Sequence, residues 1–534
     1  MSPRLSILAL IFTLTIVSCA PVTEIPTPNS TATETATFGP TPTETITPSP
    51  TPQTTALPFT LSPDAKDFPA PLNPLTGLAV EDPSLLKIPA QLISISHFPA
   101  TARPQAGLSF ANFVYEISIT EGMSRFLAVF YGQYPEPEVP LTGDCPIRKE
   151  PFVRTGTMLG NRVWLDANAN GRAEAWEAGV GGVCVKLLDA KTGKTLQETT
   201  TDSNGYYGFN VEAGAYAVEF VRPEGFAFTA RDAGDDSADS DADASTGRTR
   251  AGSMGEADAL HWDAGLVASS ARESSASMPK AQVGPVRSGR LVYADIAAFY
   301  QNSCLIFAFA SAEVLAQLPQ CAMVTHDVQG GGYMLDIERL KAVAEDNARK
   351  KAEESFNYAS NVFSESPPEG GVPATKVTEY WAYLNQSGWL YDAASQSWWR
   401  TVDDSTKDNA GIQRLETERL TGRQLQFENL IVVFAEVDVI SPTNLDIHLE
   451  QGDGGRALLF RDGMKYNIRW STKSTEFEIR SAKRTPMRFL NLDGTPAALK
   501  PGHTWVIVFT PWSLVEERGA GVWFLQYLPP DGAK

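Results

Sequence analysis

The sequence Asp166-Ala-Asn-Ala-Asn-Gly-Arg-Ala-Glu-Ala-Trp-Glu177 spaces oxygen ligands as a calcium-binding loop does. Positions 1, 3, 5, 7 and 12 of such a loop bind the ion. Here they are Asp166, Asn168, Asn170, Arg172 (through its main-chain carbonyl) and Glu177. Gly171 stands at position 6, where the backbone turns sharply. Ca²⁺ takes six to eight oxygen ligands, so the spacing predicts Ca²⁺ as the cofactor.

The residues around this loop are typical of strands. Gly160–Asp166 and Gly181–Asp189 are short and β-branched, which favours a strand–loop–strand setting over the two helices of an EF-hand. Alternating runs follow at Thr199–Phe209 and Gly214–Phe220, with turn chemistry at Asn204-Gly205. Short strands at this spacing predict an Ig-like β-sandwich. Asn at positions 3 and 5 lowers the ligand charge, which predicts modest affinity. The strand flanks and the acidic run that follows predict a structural role for the ion.

An acidic run, Asp232–Asp243, follows within the same region. One interpretation is a solvated loop, as such runs usually are. The other is a further Ca²⁺ site that folds when the ion neutralises the repulsion. Its candidate ligands are Asp235, Asp239 and Asp241.

Residues 158–267 resemble the B-type repeat domains of serine–aspartate repeat surface adhesins, which have a Cna-B-like fold. The resemblance is carried by Gly160–Asp166, the calcium loop, Thr201–Phe209 and Asp263–Leu266. It implies a calcium-binding domain, and it favours binding by the acidic run. We place this domain at residues 145–270.

The chain has 534 residues and a formal net charge of −19. This length predicts three or four modules. The negative charge argues against nucleic acid as a partner, because phosphates would be repelled.

The first 70 residues predict export and anchoring. Residues 1–18 combine Arg4 with an apolar run of the length of a signal peptide. Ile16-Val17-Ser18-Cys19 resembles the bacterial lipobox, which implies lipidation of Cys19 and attachment to the outer face of the cell membrane. An ordinary signal peptide is the alternative. Residues 19–70 are rich in Thr and Pro, which is typical of an extended stalk.

A second set of motifs flanks the inserted domain. It comprises Asn73–Gly77, Ala102–Leu108, Val114–Glu116, Glu121–Phe130 and Gly284–Arg290. Together these blocks resemble the YerB-like bacterial lipoprotein family, which is exported and has no established activity. The match covers about 72–138 and 281–515. In that family the last two blocks lie close together, whereas here residues 131–283 separate them, so we infer an insertion.

The predicted fold is therefore mainly β with some α. An α+β host, residues 71–138 and 281–360, is split by the inserted sandwich, and a β-rich C-terminal subdomain covers 376–515. Within the host, Ile337, Leu340 and Ala344 recur at helical spacing behind Asp336, a candidate N-cap. Ala457–Tyr466 predicts a hairpin with an Asp-Gly turn. The Trp and Tyr residues near Trp389–Trp399 suit either a sugar-stacking surface or cross-strand core pairs.

The charged residues of the blocks that carry this resemblance give a candidate site whose members are Glu116, Glu121, Arg125, Arg287 and Arg290. These side chains suit an anionic ligand or acid–base chemistry, or alternatively an ion-pair network joining the halves of the host. The chain departs from the family near Ile93–His97, where an expected acid is missing. The histidine-containing blocks expected after Phe309 are not recognisable either.

Four cysteines besides Cys19 suit an oxidising exterior. Candidate disulfide partners are Cys145 and Cys184 in the insert region and Cys304 and Cys321 in the host, with free thiols as the alternative. The five histidines are scattered along the sequence, so zinc chemistry has no support.

Two classes of function follow. The first is a lipid-anchored envelope protein displaying a calcium-stabilised module for adhesion, surface contact or spacing, with a cell-wall or surface protein or glycan as partner. The second is an envelope enzyme or ligand-binding protein acting on cell-wall material through the host. The intact calcium loop, the absence of a nucleophile motif and the missing acid favour the first.

Overall fold

The computed structural model describes residues 71–138, 145, 147–269, 279–319, 321–324, 332–352, 354–441, 444–450 and 452–533. Residues 1–18, Cys19 and the remainder of the stalk to residue 70 lie outside the described residues. Within the described ranges the chain is mainly β with a few helices, which confirms the predicted fold class. None of the helices in these ranges combines the length and apolarity needed to cross a membrane.

The host strands and helices before the C-terminal region are β1 (Gln91–Ser96), β2 (Phe113–Thr120), β3 (Met123–Phe130), β14 (Gln282–Val286), α1 (Val292–Phe299), β15 (Cys304–Phe307), α2 (Ala312–Leu315), β16 (Ala322–Met323), β17 (Tyr333–Asp336), α3 (Ile337–Lys350) and β18 (Val372–Pro373). Short 3-10 helices occupy Pro83–Lys87, Ala100–Ala102 and Leu108–Phe110. The insert contains β4 (Thr157–Gly160), β5 (Val163–Leu165), β6 (Cys184–Asp189), β7 (Thr195–Thr200), β8 (Phe209–Val211), β9 (Gly214–Phe220), β10 (Phe226–Phe228), β11 (Gly252–Met254), β12 (Ala259–Leu260) and β13 (Ala264–Ala268).

The C-terminal region contains β19 (Lys376–Ala382), β20 (Asn385–Asp392), β21 (Ser397–Val402), β22 (Arg414–Leu415), β23 (Gln426–Phe427), β24 (Asn429–Phe434), β25 (Val437–Ser441), β26 (Asn444–Ile447), β27 (Gly454–Arg461), β28 (Met464–Ser471), α4 (Glu476–Ser481), β29 (Arg488–Leu490), β30 (Thr504–Phe509), β31 (Leu514–Gly519) and β32 (Val522–Gln526).

One large mixed sheet organises the host. Its main path is β16-β15-β1-β3-β2-β30-β24-β27-β28-β18. The apolar runs at β24 and β30 lie at its centre, where they pair in parallel from Asn429↔Thr504 to Phe434↔Phe509. Strands covered on both faces are expected to be apolar throughout, and these two are buried along their whole length.

The C-terminal region is rich in strands, as predicted, but it does not form a separate body. Its strand β30 pairs in parallel with β2, with Phe113 opposite Thr504 and Ile117 opposite Val508. The 71–138 and 376–515 segments therefore share one sheet. The physical reason is that β2 is buried on both faces, so its free edge needs a partner strand.

The two faces of the central sheet bury different neighbours. On one face Tyr115, Ile117 and Leu127 pack with residues of α1 such as Ile296. On the other face Val114, Phe126 and Trp505 pack against a second sheet with the order β22-β21-β20-β19-β32-β31. Trp389 and Trp398 of that second sheet are fully buried, so the core-pair interpretation of these aromatics is correct and sugar stacking on them is excluded.

The insert has a hydrophobic core of its own, formed by residues such as Val163, Leu187, Tyr207 and Leu266. Its three small sheets are β10-β13-β5, β11-β9-β6-β7 and β12-β4-β8. The chain enters the insert after β3 and returns to the host at β14, and both of these strands are partners of β1. A Cβ built on Gly107 would lie 2.8 Å from the side chain of Val283 and 3.3 Å from that of Pro135, so the entry and exit of the insert lie close together, as a tolerated insertion requires.

Candidate functional sites

Backbone hydrogen bonds between the strand-like segments on either side close the calcium-type loop. Leu165 N–H donates to the carbonyl of Ala178 over 2.8 Å, and Val180 N–H donates to the carbonyl of Val163 over 2.8 Å. Gly171 has a φ of +81°, and a Cβ there would lie 2.8 Å from the carbonyl oxygen of Ala230. The turn at position 6 therefore requires glycine for both its backbone angle and its close packing.

The first and last acids of the loop are both buried. Asp166 accepts hydrogen bonds from the amides of Asn170 (3.1 Å) and Gly171 (2.8 Å). Glu177 accepts from the amides of Ala167 (2.9 Å) and Glu174 (3.0 Å). Burial raises the pKa of Glu177, and the nearby Glu174 carboxylate adds to the rise. A buried pair of this kind is costly unless a cation or a proton neutralises it.

Glu174 is a further candidate ligand of the loop. Its carboxylate accepts hydrogen bonds from the side-chain amides of Asn170 (2.5 Å) and Asn168 (3.4 Å). Glu174 stands at position 9, which contributes to such loops, often through a water molecule, so the spacing alone was sufficient to include it. The ligand positions now comprise six residues whose donor atoms are all oxygen, and this donor set fits Ca²⁺.

The acidic run packs directly on this loop. Ala173 N–H donates to the carbonyl of Ala238 over 2.8 Å, and Arg172 Nε donates to the carbonyl of Ala233 over 3.1 Å. The Thr229 hydroxyl donates to Asp166 over 2.5 Å. The run is therefore an ordered part of the domain, which disagrees with the interpretation of a solvated, disordered loop.

The predicted ligands of the run occupy different environments. Asp239 is buried and accepts from the Gly234 amide over 2.8 Å, whereas Asp235 is exposed. Asp241 pairs with Asp263, whose amide donates to the Asp241 carboxylate over 2.8 Å. Burial raises the pKa of Asp241 to about 7, and it raises that of Asp263 well above the usual range. Asp263 belongs to the closing motif of the domain and was not predicted as part of a site.

The candidate host residues divide between two faces of the central sheet. Glu116 lies opposite Phe126 on β3, whereas Arg125 lies opposite Ile117. Because successive strand residues point to opposite faces, Glu116 and Arg125 cannot meet. Glu121 is exposed in the turn between β2 and β3. The predicted network between these acids and arginines is therefore wrong in its pairing.

Glu116 belongs instead to a network buried between the two sheets. It accepts hydrogen bonds from Ser124 Oγ (2.6 Å) and Trp505 Nε1 (3.1 Å), and it lies 3.3 Å from Arg400 Nη2. Arg400 also donates to Glu416 over 2.8 Å. The network does join the two parts of the host, as the ion-pair interpretation required, but Arg400 is its cation. Burial raises the pKa of Glu116 to about 7, and the neighbouring Glu379 adds to the rise.

His97, at the segment where the family acid is missing, lies in the same network. Its Nδ1 is 2.8 Å from Ser124 Oγ, and its ring stacks on Phe126. Burial and the charge of Arg103 hold the pKa of His97 well below its usual range. No local motif marks Arg400 or Glu416, which are distant in sequence from β2, whereas Arg103 lies in the Ala102–Leu108 motif.

Arg125 lies on the other face with the second arginine motif. Its Nη1 lies 3.3 Å from Ser288 Oγ and 3.4 Å from the Ser288 carbonyl. Burial lowers the pKa of Arg125 to about 9, and the charges of Arg290 and Arg287 contribute to the change. The three predicted arginines are thus brought together, without Glu116.

The four cysteines form two disulfides, Cys145–Cys184 and Cys304–Cys321. The first joins the segment that enters the insert to β6. A further group was not predicted: His448, Glu450 and Asp453 place one ligand atom each within 4.8 Å of one another. Exposed groups of this kind are common without a metal.

The insert docks on the host through charged and polar contacts. Arg148 pairs with Asp392 over 2.8 Å and lies 3.9 Å from Asp202. Arg423 donates from the host to the carbonyls of Ser203 (2.8 Å) and Gly179 (3.1 Å). The two domains are therefore in specific contact beyond their chain connections.

Comparison with known proteins matches the insert and the host to different family models. Residues 157–266 match the SdrD B-like domain model. Residues 75–140 and 377–506 match the N-terminal and C-terminal domain models of a protein of unknown function (DUF3048). The two host matches flank the insert match, which confirms the predicted arrangement of a YerB-like host carrying a B-type domain.

Two relatives are serine-aspartate repeat-containing protein C from Staphylococcus aureus strains N315 and Newman. They are 44% and 43% identical to this chain over 110 residues, which is 20% of the chain and 11% of each relative. The chain thus spans about a tenth of the length of these relatives. Among solved structures, YerB from Bacillus subtilis aligns over 82% of this chain and 96% of its own, with 15% identity and a TM-score of 0.41.

Proposed function

We propose that this chain is a lipid-anchored envelope protein that displays a calcium-stabilised adhesion module in a fixed position on a YerB-like host. One observation carries the proposal: residues with oxygen donors stand at all six ligand positions of a calcium-type loop within an SdrD B-like domain, and an acidic run packs on this loop. Serine-aspartate repeat proteins carry this type of domain, which supports display at the cell surface.

Asp166, Asn168, Asn170, the Arg172 carbonyl, Glu174 and Glu177 would hold the ion. A bound Ca²⁺ supplies the positive charge that offsets the repulsion between these carboxylates. Backbone amides of the loop hold the carboxylates of Asp166 and Glu177 in place. Because Arg172 and Ala173 bind the acidic run, ordering this loop also orders the run.

The contacts between the insert and the host favour a fixed position of the module over free movement, which supports a role in spacing and display. Arg148 and Arg423 each make contacts across the interface, and Asn204 donates to Glu428 of the host over 3.1 Å. Separation of the insert from the host would leave the buried Asp392 without its cation, and an uncompensated buried charge is strongly destabilising. The proposed stalk, with lipid on Cys19, would lift this assembly from the membrane.

Calcium titration of the full chain tests the calcium site. We expect a dissociation constant of about 10⁻⁴–10⁻³ M, as in extracellular modules. Asp166→Ala and Glu177→Ala should each weaken binding by about tenfold or more, because each removes a charged ligand. Glu174→Gln should weaken it less, since position 9 often binds through water. Isothermal titration calorimetry and the calcium-induced rise in thermal midpoint measure these effects.

The matched control is Glu212→Gln, which changes an exposed acid in the same domain. It should bind Ca²⁺ as the wild type does. Absence of heat and of thermal stabilisation in the wild-type chain would reject the calcium site.

The proposed partner is a cell-wall or surface protein or glycan. Cells displaying the wild-type chain should be retained on immobilised envelope material in calcium and should detach in chelator. Cells displaying Asp166→Ala should show reduced retention, whereas those displaying Glu212→Gln should not. Equal retention of all three in both conditions would reject adhesion through the calcium-stabilised module.

A further inference from the structure

The second arginine motif lies at the carboxyl ends of three parallel strands. β1 pairs in parallel with β15, and β15 pairs in parallel with β16. On its other side β1 pairs with β3 in antiparallel fashion, so β1 is the last strand of this parallel part of the sheet. Crevices outside the carboxyl ends of parallel strands are favoured positions for ligands.

The loop 287–290 is fixed across these strand ends by its backbone. Arg287 N–H donates to the carbonyl of Ser94 over 2.9 Å, and Ala308 N–H donates to the carbonyl of Arg287 over 2.9 Å. Gly289 N–H donates to the carbonyl of Phe309 over 2.7 Å. Helix α1 begins directly afterwards, so its positive end adds to the charge of the loop. The loop is thus rigid before any ligand binds.

Three guanidinium groups, which we call the arginine cluster, meet at this loop: Arg125, Arg287 and Arg290. Arg125 is 5% exposed, and among the described residues neither Arg125 nor Arg290 has a carboxylate within 4.0 Å. The Nε atoms of both are buried without a hydrogen-bond partner in the same part of the chain. Burying cations in this way is unfavourable unless an anion compensates them.

The contacts that Arg125 does make are weak. Its distances of 3.3 and 3.4 Å to Ser288 exceed those of charge-assisted hydrogen bonds, which are about 2.7–2.9 Å. Hydroxyl groups stand beside the cluster, because Ser94 Oγ lies 3.2 Å from Tyr293 Oη and donates to the Ser288 carbonyl over 3.1 Å. Arg287 and Arg290 are half-buried, so the cluster is accessible from solvent.

We infer that the arginine cluster, with Ser288, binds the phosphate group of a small-molecule ligand. A tetrahedral dianion can accept from several guanidinium groups at once, whereas one carboxylate satisfies a single planar fork. This site lies on the host and does not depend on the calcium module. It gives the host a ligand-binding role separate from display.

The test is titration of the full chain with sodium phosphate in calcium-free buffer, because calcium would precipitate phosphate. Sodium chloride at matched ionic strength and sodium acetate are run in parallel. We expect phosphate to raise the thermal midpoint and to bind measurably by calorimetry, and acetate to do so more weakly. Arg290→Gln should weaken phosphate binding by about tenfold or more, as for loss of a hydrogen bond to a charged group.

Arg349→Gln, an exposed arginine of α3 paired with Asp346, is the matched control and should bind as the wild type does. Arg125→Lys keeps the charge and removes the planar, paired N–H donors of the guanidinium, so it should also weaken binding. If that buried variant fails to fold, the half-buried Arg290→Gln alone decides the outcome. Phosphate binding no stronger than that of chloride, binding unchanged in Arg290→Gln, or equal binding of acetate would each overturn the assignment.

Discussion

Glu116 is a buried acid held between a cation and a second acid. Arg400 lies 3.3 Å away and favours the charged form, but burial and the charge of Glu379 outweigh it, so the pKa rises to about 7. The unfolded chain would release this proton near pH 4.3. Between these values the folded state binds the extra proton, so its stability falls as pH rises from about 4.5 to 7.

Glu116→Gln should remove that part of the pH dependence. The amide keeps the shape of the side chain and does not titrate, so the stability of the variant should fall less over this pH range. We expect the difference between the two profiles to amount to roughly 1–3 kcal/mol. Thermal midpoints at pH 5, 6, 7 and 8 measure it, since other buried acids contribute equally to both proteins.

The control for this experiment is Glu338→Gln, an exposed acid of α3 paired with Lys341. Its profile should run parallel to that of the wild type. If Glu116→Gln also gives a parallel profile, Glu116 does not carry the raised pKa.

At the scale of single residues, the spacing of side chains along the sequence predicted more of the candidate sites than the charge of individual side chains did. The five candidate ligands of the loop follow from one pattern within the sequence, and Glu174 obeys the same pattern. The partners of Glu116 follow no pattern, because Arg400 and Trp505 reach it from strands that pair only in the folded sheet stack. Buried networks of this kind are specified by tertiary packing, which local sequence does not encode.

Among elements, the hairpin of β27 and β28 was predicted because its turn is chemically specific. Asp462 and Gly463 both have positive φ, 53° and 70°, as a type I′ turn requires. The start of α3 at Ile337 also agrees with the helical spacing behind Asp336. The proposed cap does not form, because the Asp336 carboxylate binds Lys280 (2.9 Å) and Gln282 (2.9 Å) instead.

The order of the strands was beyond prediction from sequence. The pairing of β2 with β30 joins Phe113 to Thr504, and apolar strands buried on both faces offer no alternation to set register or partner. Because its strands are apolar on both faces, the segment 376–515 resembled a separate subdomain. Both strands are apolar because the sheet they share is covered on both sides.

For the whole molecule, the insertion followed from the order of the sequence motifs, but the docking of the insert did not. Its central contact is Arg148, which stacks over Trp399 at 4.6 Å and stands between Asp202 of the insert and Asp392 of the host. Both acids are fully buried, and burial together with Asp392 raises the pKa of Asp202 to about 6. Asp202 lies in the Thr201–Phe209 motif, but no motif of either domain predicted its contact with Arg148.

Arg148→Ala should loosen the interface while the insert stays folded. Removing the cation leaves two buried acids facing each other, and breaking a buried pair costs about 3–5 kcal/mol. Hydrogen exchange should therefore accelerate at residues 179–182, 201–206 and 423–428. Val185 and Val218 should stay protected, because they belong to the insert's own core. Arg154→Ala, which breaks an exposed pair with Asp258, should leave exchange at the interface unchanged. Unchanged exchange in Arg148→Ala, or loss of protection throughout the insert, would contradict a docked and independently folded module.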